Sequence, residues 1–169
     1  SRSSRCGCLI PVNSYIELYM YFLIQKQFLP VSCATLWDFV SSPGNLNLIT
    51  PPEMGFQIVG EVPKQINSGD LIEYRVKVPV LGEISWLTEI KYVRHGLCFV
   101  DEQRVGPYRL WIHRHSLLEV EGGTSMSDEI RYLLPYGLFG KIAHRMFVRR
   151  NLENIFRFRR KALKEIFIK

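Results

Sequence analysis

No apolar run in the 169-residue sequence approaches the roughly 20 residues that a membrane-spanning helix needs. The most hydrophobic early stretch, "YIELYMYFLI", is short and is interrupted by Glu17. A secretory signal would need a longer uninterrupted apolar stretch and a small-residue cleavage site, and neither is evident. Cysteine is scarce, with only Cys6, Cys8, Cys33 and Cys98. The C-G-C pair is too tight for an ordinary structural staple, and the other two sit apart in apolar surroundings. A disulfide framework is therefore not expected, and a reducing, cytoplasmic setting is. There is no G-x-S-x-G or similar nucleophile motif, which removes one common route to covalent catalysis. No internal repeat, low-complexity tract or recognised nucleic-acid motif is visible, so nucleic acid is not an expected partner.

The composition that remains suits one globular domain with one core, with 47% apolar and 22% charged residues. The net charge of +6 is unevenly placed. Residues 141–169 hold ten Lys or Arg against two Glu, while the other 140 residues hold 12 basic and 14 acidic groups. The basic character therefore belongs to the C-terminal segment. Residues 1–19 have small and basic residues without a period. They read as an N-terminal extension of a fragment or processed product, and a compact domain is expected over residues 20–168.

"YFLIQKQFLPV" (21–31) has the aromatic and branched composition of a first strand. Ser32 caps a short helix in "CATLWDFVSS", and "NLNLITPP" reads as a second short helix or turn. About six strands then follow at short spacing, joined by turns, which argues for an antiparallel meander. From Leu138 to Ile168 apolar residues recur at helical intervals with no proline, and one helix of roughly 30 residues, about 45 Å long, is expected. An amphipathic helix lying across one face of a twisted sheet cannot fill the space beneath it, so a cavity is expected between them.

Together, "FLPVSCATLWDFVSSPGNLNLITPPEMGF" (28–56), "WLTEI" (86–90), "FVDEQRVGPYRLWIHRH" (99–115), "EVEGGTSMSDEIRYLLPYG" (119–137) and "FVRRNLENIFRFRRKAL" (147–163) resemble the helix-grip superfamily called SRPBCC. That superfamily contains START-type lipid-transfer domains, polyketide cyclase/dehydrase-like proteins and coenzyme Q-binding proteins. The match is closest to its small bacterial-type ligand-binding members and covers residues 20–168. The resemblance implies an α+β helix-grip fold. A curved antiparallel sheet of about seven strands would wrap a long C-terminal helix, with two short helices after the first strand. It also implies a cavity for a hydrophobic or amphipathic molecule, such as a lipid, quinone or polyketide. It implies no single chemistry.

Strand alternation puts Trp111, His113, His115 and Leu117 on one face and Leu110, Ile112 and Arg114 on the other. Parity alone does not say which face points inward. By the same rule Trp86, Thr88 and Ile90 share a face, as do Thr124, Met126, Asp128, Ile130 and Tyr132. The candidate ligand-binding set is therefore Trp86, Trp111 and Tyr132 as apolar wall, with Thr88, Gln103, His113, His115 and Asp128 as polar contacts. "PPEMGF" (51–56) and "PYG" (135–137) are candidates for the mouth. Adjacent strand residues point to opposite faces, so Asp101 and Glu102 cannot easily share a substrate. One of them is expected in a surface ion pair with Arg104 or Arg109, and Gln103 on the cavity side.

Three roles compete for the histidines: hydrogen-bonded sheet residues, ligand contacts, or an acid/base pair of His113 with Asp128 in a cyclase, aromatase or dehydratase. Asp128 could complete a metal site with both histidines, but the resemblance brings no metal, and neither metal nor cofactor is expected. The basic helix is read as a solvated back. A transient anionic membrane surface, met through Arg157, Arg159 and Arg160, is the second reading.

Overall fold

The computed structural model describes residues 20–78, 81–137, 142 and 144–168. The proposed extension, residues 1–19, lies outside them. Strand β1 (Tyr21–Leu29) leads into helix α1 (Cys33–Val40) and two 3-10 turns, Pro43–Ile49 and Pro52–Met54. Six more strands follow: β2 (Gln57–Val59), β3 (Leu71–Val78), β4 (Gly82–Arg94), β5 (Cys98–Val105), β6 (Leu110–Val120) and β7 (Gly123–Leu133). A π-helical turn (His144–Val148) then opens helix α2 (Arg149–Phe167).

The seven strands form one sheet in the order β1-β7-β6-β5-β4-β3-β2, every neighbouring pair antiparallel. Consecutive strands from β2 to β7 pair as a meander, and β1 closes on β7. Burial alternates along β7, with Thr124, Met126, Asp128, Ile130 and Tyr132 all inside, because one face packs on the core and the other meets water. Register shifts between Leu87 and Thr88 and between Ile90 and Tyr92 interrupt the β4–β5 ladder. Such bulges bend the bulged strand, and a bent sheet can curl around a helix.

Local chemistry fixes the joints. Ser32 Oγ accepts the Thr35 N–H at 3.1 Å and caps α1. Thr124 Oγ1 donates to the Val31 carbonyl at 2.7 Å, tying the start of β7 to the end of β1. Beside it, a Cβ on Gly123 would fall 2.3 Å from the Leu29 carbonyl oxygen, so the two strands meet there only because position 123 has no side chain.

Helix α2 crosses the inner face and buries Leu152, Phe156, Ala162 and Leu163. Leu163 joins the larger core with Leu36, Trp37 and Ile72, while Leu152 and Phe156 pack with Trp111, Ile130 and Tyr132. The expected helix over 138–168 carries an interruption: Gly137 and Ile142 are helical, the π-helical turn follows at His144–Val148 and α2 runs on from Arg149, with Ile142, Met146 and Phe147 exposed. Cysteine also departs from expectation: Cys33 is free, but Cys98 is disulfide-bonded. The thiol argument for a reducing compartment therefore falls away. Among the described residues no helix is long and apolar enough to cross a membrane.

Candidate functional site

A cavity of about 190 Å³ lies between the concave sheet and α2. The helix supplies Asn151, Leu152, Ile155, Phe156 and Arg159, one stripe at helical spacing. The sheet supplies Trp86, Thr88 and Ile90 from β4, Phe99 and Asp101 from β5, and Trp111, His113 and His115 from β6. The face of β6 that parity left undecided is the inner one for the histidines. One end is aromatic: Trp111 stands edge-on to Trp86 at 5.3 Å, and Tyr108 lies 4.7 Å from Trp111 and 5.6 Å from Trp86 between ring centres. Met54 and Phe56 line the rim within "PPEMGF", whereas the "PYG" turn is not part of the lining.

Beside the aromatic end, two histidines and two aspartates form a closed box. The sheet register builds it, with Asp101 directly opposite His113 and Asp128 directly opposite His115. The diagonals are also short, because neighbouring strands bring side chains two residues apart within reach. His113 Nε2 is 3.1 Å from Asp128 Oδ1, and His115 Nε2 is 3.1 Å from Asp101 Oδ2. The second nitrogens lie near the opposite carboxylates. His113 Nδ1 is 3.6 Å from Asp101 Oδ2, and His115 Nδ1 is 2.8 Å from Asp128 Oδ1. The latter is a close charge contact whose angle falls short of a hydrogen bond. The two imidazoles lie with centres 3.7 Å apart and planes tilted by 43°, and Phe99 stacks on His115 at 4.0 Å.

The box sets its own protonation. Burial and the neighbouring His115 charge hold the His113 imidazole below its ordinary pKa, keeping it neutral. Burial also pushes His115 down, but its contacts with Asp101 and Asp128 outweigh that, and its pKa is raised. Burial would lift the Asp128 carboxyl. The hydrogen bonds and charges of both histidines overcome this and hold it far below the carboxylate range. Facing the box, Tyr74 has its phenol pushed up by burial and by the Asp101 charge, against a Thr88 hydrogen bond and the Arg159 charge.

Five of the eight candidate residues, Trp86, Thr88, Trp111, His113 and His115, line the cavity. Asp128 and Tyr132 are buried one layer behind it, Asp128 against the histidines and Tyr132 against Tyr108 and Trp111. Gln103 needs correction. It is not among the lining residues, and its amide clamps the Gly106-Pro107 turn, accepting from the Tyr108 N–H at 3.2 Å and donating to the Tyr108 carbonyl at 2.7 Å. Asp101 is inside and touches both histidines, while Glu89 takes Arg104 as its partner. The parity that put Gln103 inward also puts Asp101 there, two residues earlier, so the signal was present. Tyr74 and Tyr108 went unread.

The membrane-facing arginines need correction too. Arg159 lines the cavity, with its guanidinium 4.9 Å over the Phe156 ring and its Nε buried without a hydrogen bond. Arg160 donates to Gln25 Oε1, and its carbonyl accepts from Gln27 Nε2 at 2.9 Å, so it ties α2 to β1. Of the three, Arg157 and Arg160 are exposed, and Arg160 is the one tied to β1.

No family model matches the chain, and no curated protein matches it. Solved structures do. Protein CV1439 from Chromobacterium violaceum superposes with a TM-score of 0.67 at 10% identity, over 88% of this chain and 97% of that one. The chain has the helix-grip fold. A nucleoside-diphosphate sugar epimerase from Corynebacterium glutamicum is similar at a TM-score of 0.62 and 20% identity, over 85% of this chain but only 28% of its own. The di-domain ARO/CYC StfQ from the steffimycin biosynthetic pathway is similar at 0.65 and 10% identity, over 88% of this chain and 51% of its own. The helix-grip likeness therefore reaches both stand-alone chains and parts of larger ones.

Proposed function

We propose that this domain binds a small hydrophobic or amphipathic molecule between the sheet and α2, as a carrier or sensor. The supporting observation is the cavity itself, preformed and walled by apolar and aromatic side chains, with polar groups gathered at one place. The apolar body of the ligand lies against Trp86, Trp111 and Phe156, and its polar group meets Thr88, His113, His115 and Arg159. Its volume suits a molecule of one or two rings or a short acyl chain, since an apolar cavity of about 150 Å³ in another protein takes up benzene. Membrane docking is not part of the proposal, because Arg159 and Arg160 are engaged within the fold.

One observation favours a second reading, catalysis of the aromatase/cyclase kind that the description of StfQ names. His113 is a buried, neutral imidazole on the cavity wall, oriented by Asp128, which is the arrangement of a general base. Native mass spectrometry of the purified chain, with thermal-shift screening against lipids, quinones and aromatic polyketides, tests both. A bound molecule recovered unchanged supports the carrier, and a converted one supports the enzyme. An empty protein with no thermal shift across the library refutes both.

A further inference from the structure

Asp101, His113 and His115 each offer one ligand atom, and these atoms lie within 4.8 Å of one another on the cavity wall. We propose that these three side chains are the ligands of a divalent first-row metal ion, with Asp128 as the outer carboxylate that orients both histidines.

The geometry is that of a metal site and not only of an ion-pair cluster. A tetrahedral ion with bonds of about 2.0–2.1 Å holds its ligand atoms roughly 3.3 Å apart. Asp101 Oδ2 is 3.1 Å from His115 Nε2 and 3.6 Å from His113 Nδ1, so the pairs fall on either side of that spacing. The far nitrogens of both rings converge on a single atom, Asp128 Oδ1, at 3.1 and 2.8 Å. A histidine that ligates a metal characteristically gives its other N–H to a carboxylate, which fixes tautomer and ring orientation. A neutral imidazole has one N–H and one lone pair. An ion held by His113 Nδ1, His115 Nε2 and Asp101 Oδ2 leaves the other nitrogen of each ring to carry its N–H beside Asp128, and its charge offsets both carboxylates at once.

The donor set is two imidazoles and one carboxylate, without sulfur, which suits zinc or ferrous iron and disfavours cuprous copper. Asp128 stands behind the wall, so the open coordination positions face the cavity. They would take a water or an oxygen of the bound molecule, such as a ketone, carboxylate or phenolate, and polarise it. That role for the open positions rests on the cavity-binding reading. Metal binding itself does not, and a metal titration and a ligand screen can fail independently.

The test uses the full chain, stripped with a chelator and titrated with Zn²⁺ by calorimetry and with Co²⁺ by absorption. One equivalent of Zn²⁺ should bind. Co²⁺ should give visible d–d bands without the near-ultraviolet thiolate charge-transfer bands that ligation by Cys6 or Cys8 would produce. Asp101→Asn should weaken Zn²⁺ at least about 100-fold, and Asp128→Asn by about 10- to 100-fold. Long-range ¹H–¹⁵N spectra of the wild-type chain add a readout that needs no variant. Zn²⁺ must fix His113 as the Nε2–H tautomer and His115 as the Nδ1–H tautomer. No saturable one-to-one binding, thiolate bands, an unchanged affinity in a folded Asp101→Asn variant, or the opposite tautomers would each overturn the proposal.

Discussion

Removing Asp128 from the metal-free protein tests whether the box is a cooperative unit. Its carboxylate is the sole partner of His113 Nε2, at 3.1 Å, and lies 2.8 Å from His115 Nδ1. All the atoms involved are buried. Asp128→Ala leaves His113 Nε2 without its hydrogen-bond partner, at about 1–3 kcal/mol for an unsatisfied group. It also removes one of the two carboxylates that raise the His115 pKa. Breaking a buried ion pair by deleting one partner costs about 3–5 kcal/mol in general, and that is the loss expected here. For a chain of this length each kcal/mol moves the melting temperature by about 2–4 °C, so a fall of roughly 6–20 °C is expected. Trp37, Trp86 and Trp111 are the tryptophan reporters. Urea unfolding followed by their fluorescence, with chelator present, should show a lower midpoint at an unchanged slope. Asp128→Asn keeps the shape and one acceptor, and should fall between wild type and Ala. A loss below about 1 kcal/mol for Asp128→Ala, the range of an exposed ion pair, would refute the reasoning.

Two further outcomes follow from the cavity's supports. A Cβ at Gly106 would sit 2.4 Å from Gln103 Oε1, which is held in place by the Tyr108 backbone. Gly106→Ala should cost about 1–3 kcal/mol by denaturant melts, and the part due to the clash should vanish in a Gln103→Ala background, leaving the backbone strain at φ 157°. Additive effects would show that the two residues do not compete for the same space. Glu89 is half-buried and paired with Lys91 at 3.0 Å and with Arg104, and these contacts, the Lys91 hydrogen bond foremost, lower its carboxyl pKa. A lowered carboxyl pKa adds stability above the unfolded-state value of about 4.3 and loses it as pH falls through the folded-state value. The small gap between wild type and Glu89→Gln should therefore shrink in high salt and close in acid. A gap that persists at pH 2–3 in urea melts would contradict the pairing.

Strand order and sheet hand-offs were legible because alternation with period two is written residue by residue along β6 and β7. The interruption in the last helix was not. Leu138, Ile142 and Met146 are spaced at i, i+4 and i+8, as though they continued the stripe of Leu152, Phe156 and Leu163. From Met146 to Leu152 the step is six residues, which no single helical face accommodates. The π-helical turn at His144–Val148 marks that slip, and Ile142 before it and Met146 within it are exposed while Leu152 beyond it is buried. Arg159 was misread for a related reason. Its spacing from Leu152 and Phe156 places it on the inner stripe, but its charge suggested the solvated back. A long side chain can lie along an apolar surface with its head at the rim, so spacing outweighs charge there.

The site was legible in its residue types but not in its pairing. His113 and His115 could be read from alternation within one strand. That Asp101 stands opposite the first and Asp128 opposite the second depends on the register of two other strands, which turn geometry and bulges set. Stability alone does not account for such a box. A buried ionic cluster can often be replaced by apolar residues of similar volume with no loss, or with a gain. Each of the four groups is costly to desolvate, and each becomes tolerable only because the other three are in place. What distinguishes these four from a structural ion-pair network is their position. Three of them face the cavity, at the one part of its wall where two neighbouring strands both turn polar side chains inward. A polar group that costs stability and lies against an otherwise apolar cavity is best explained by what enters that cavity, whether a metal ion, the oxygen of a bound molecule, or the two together.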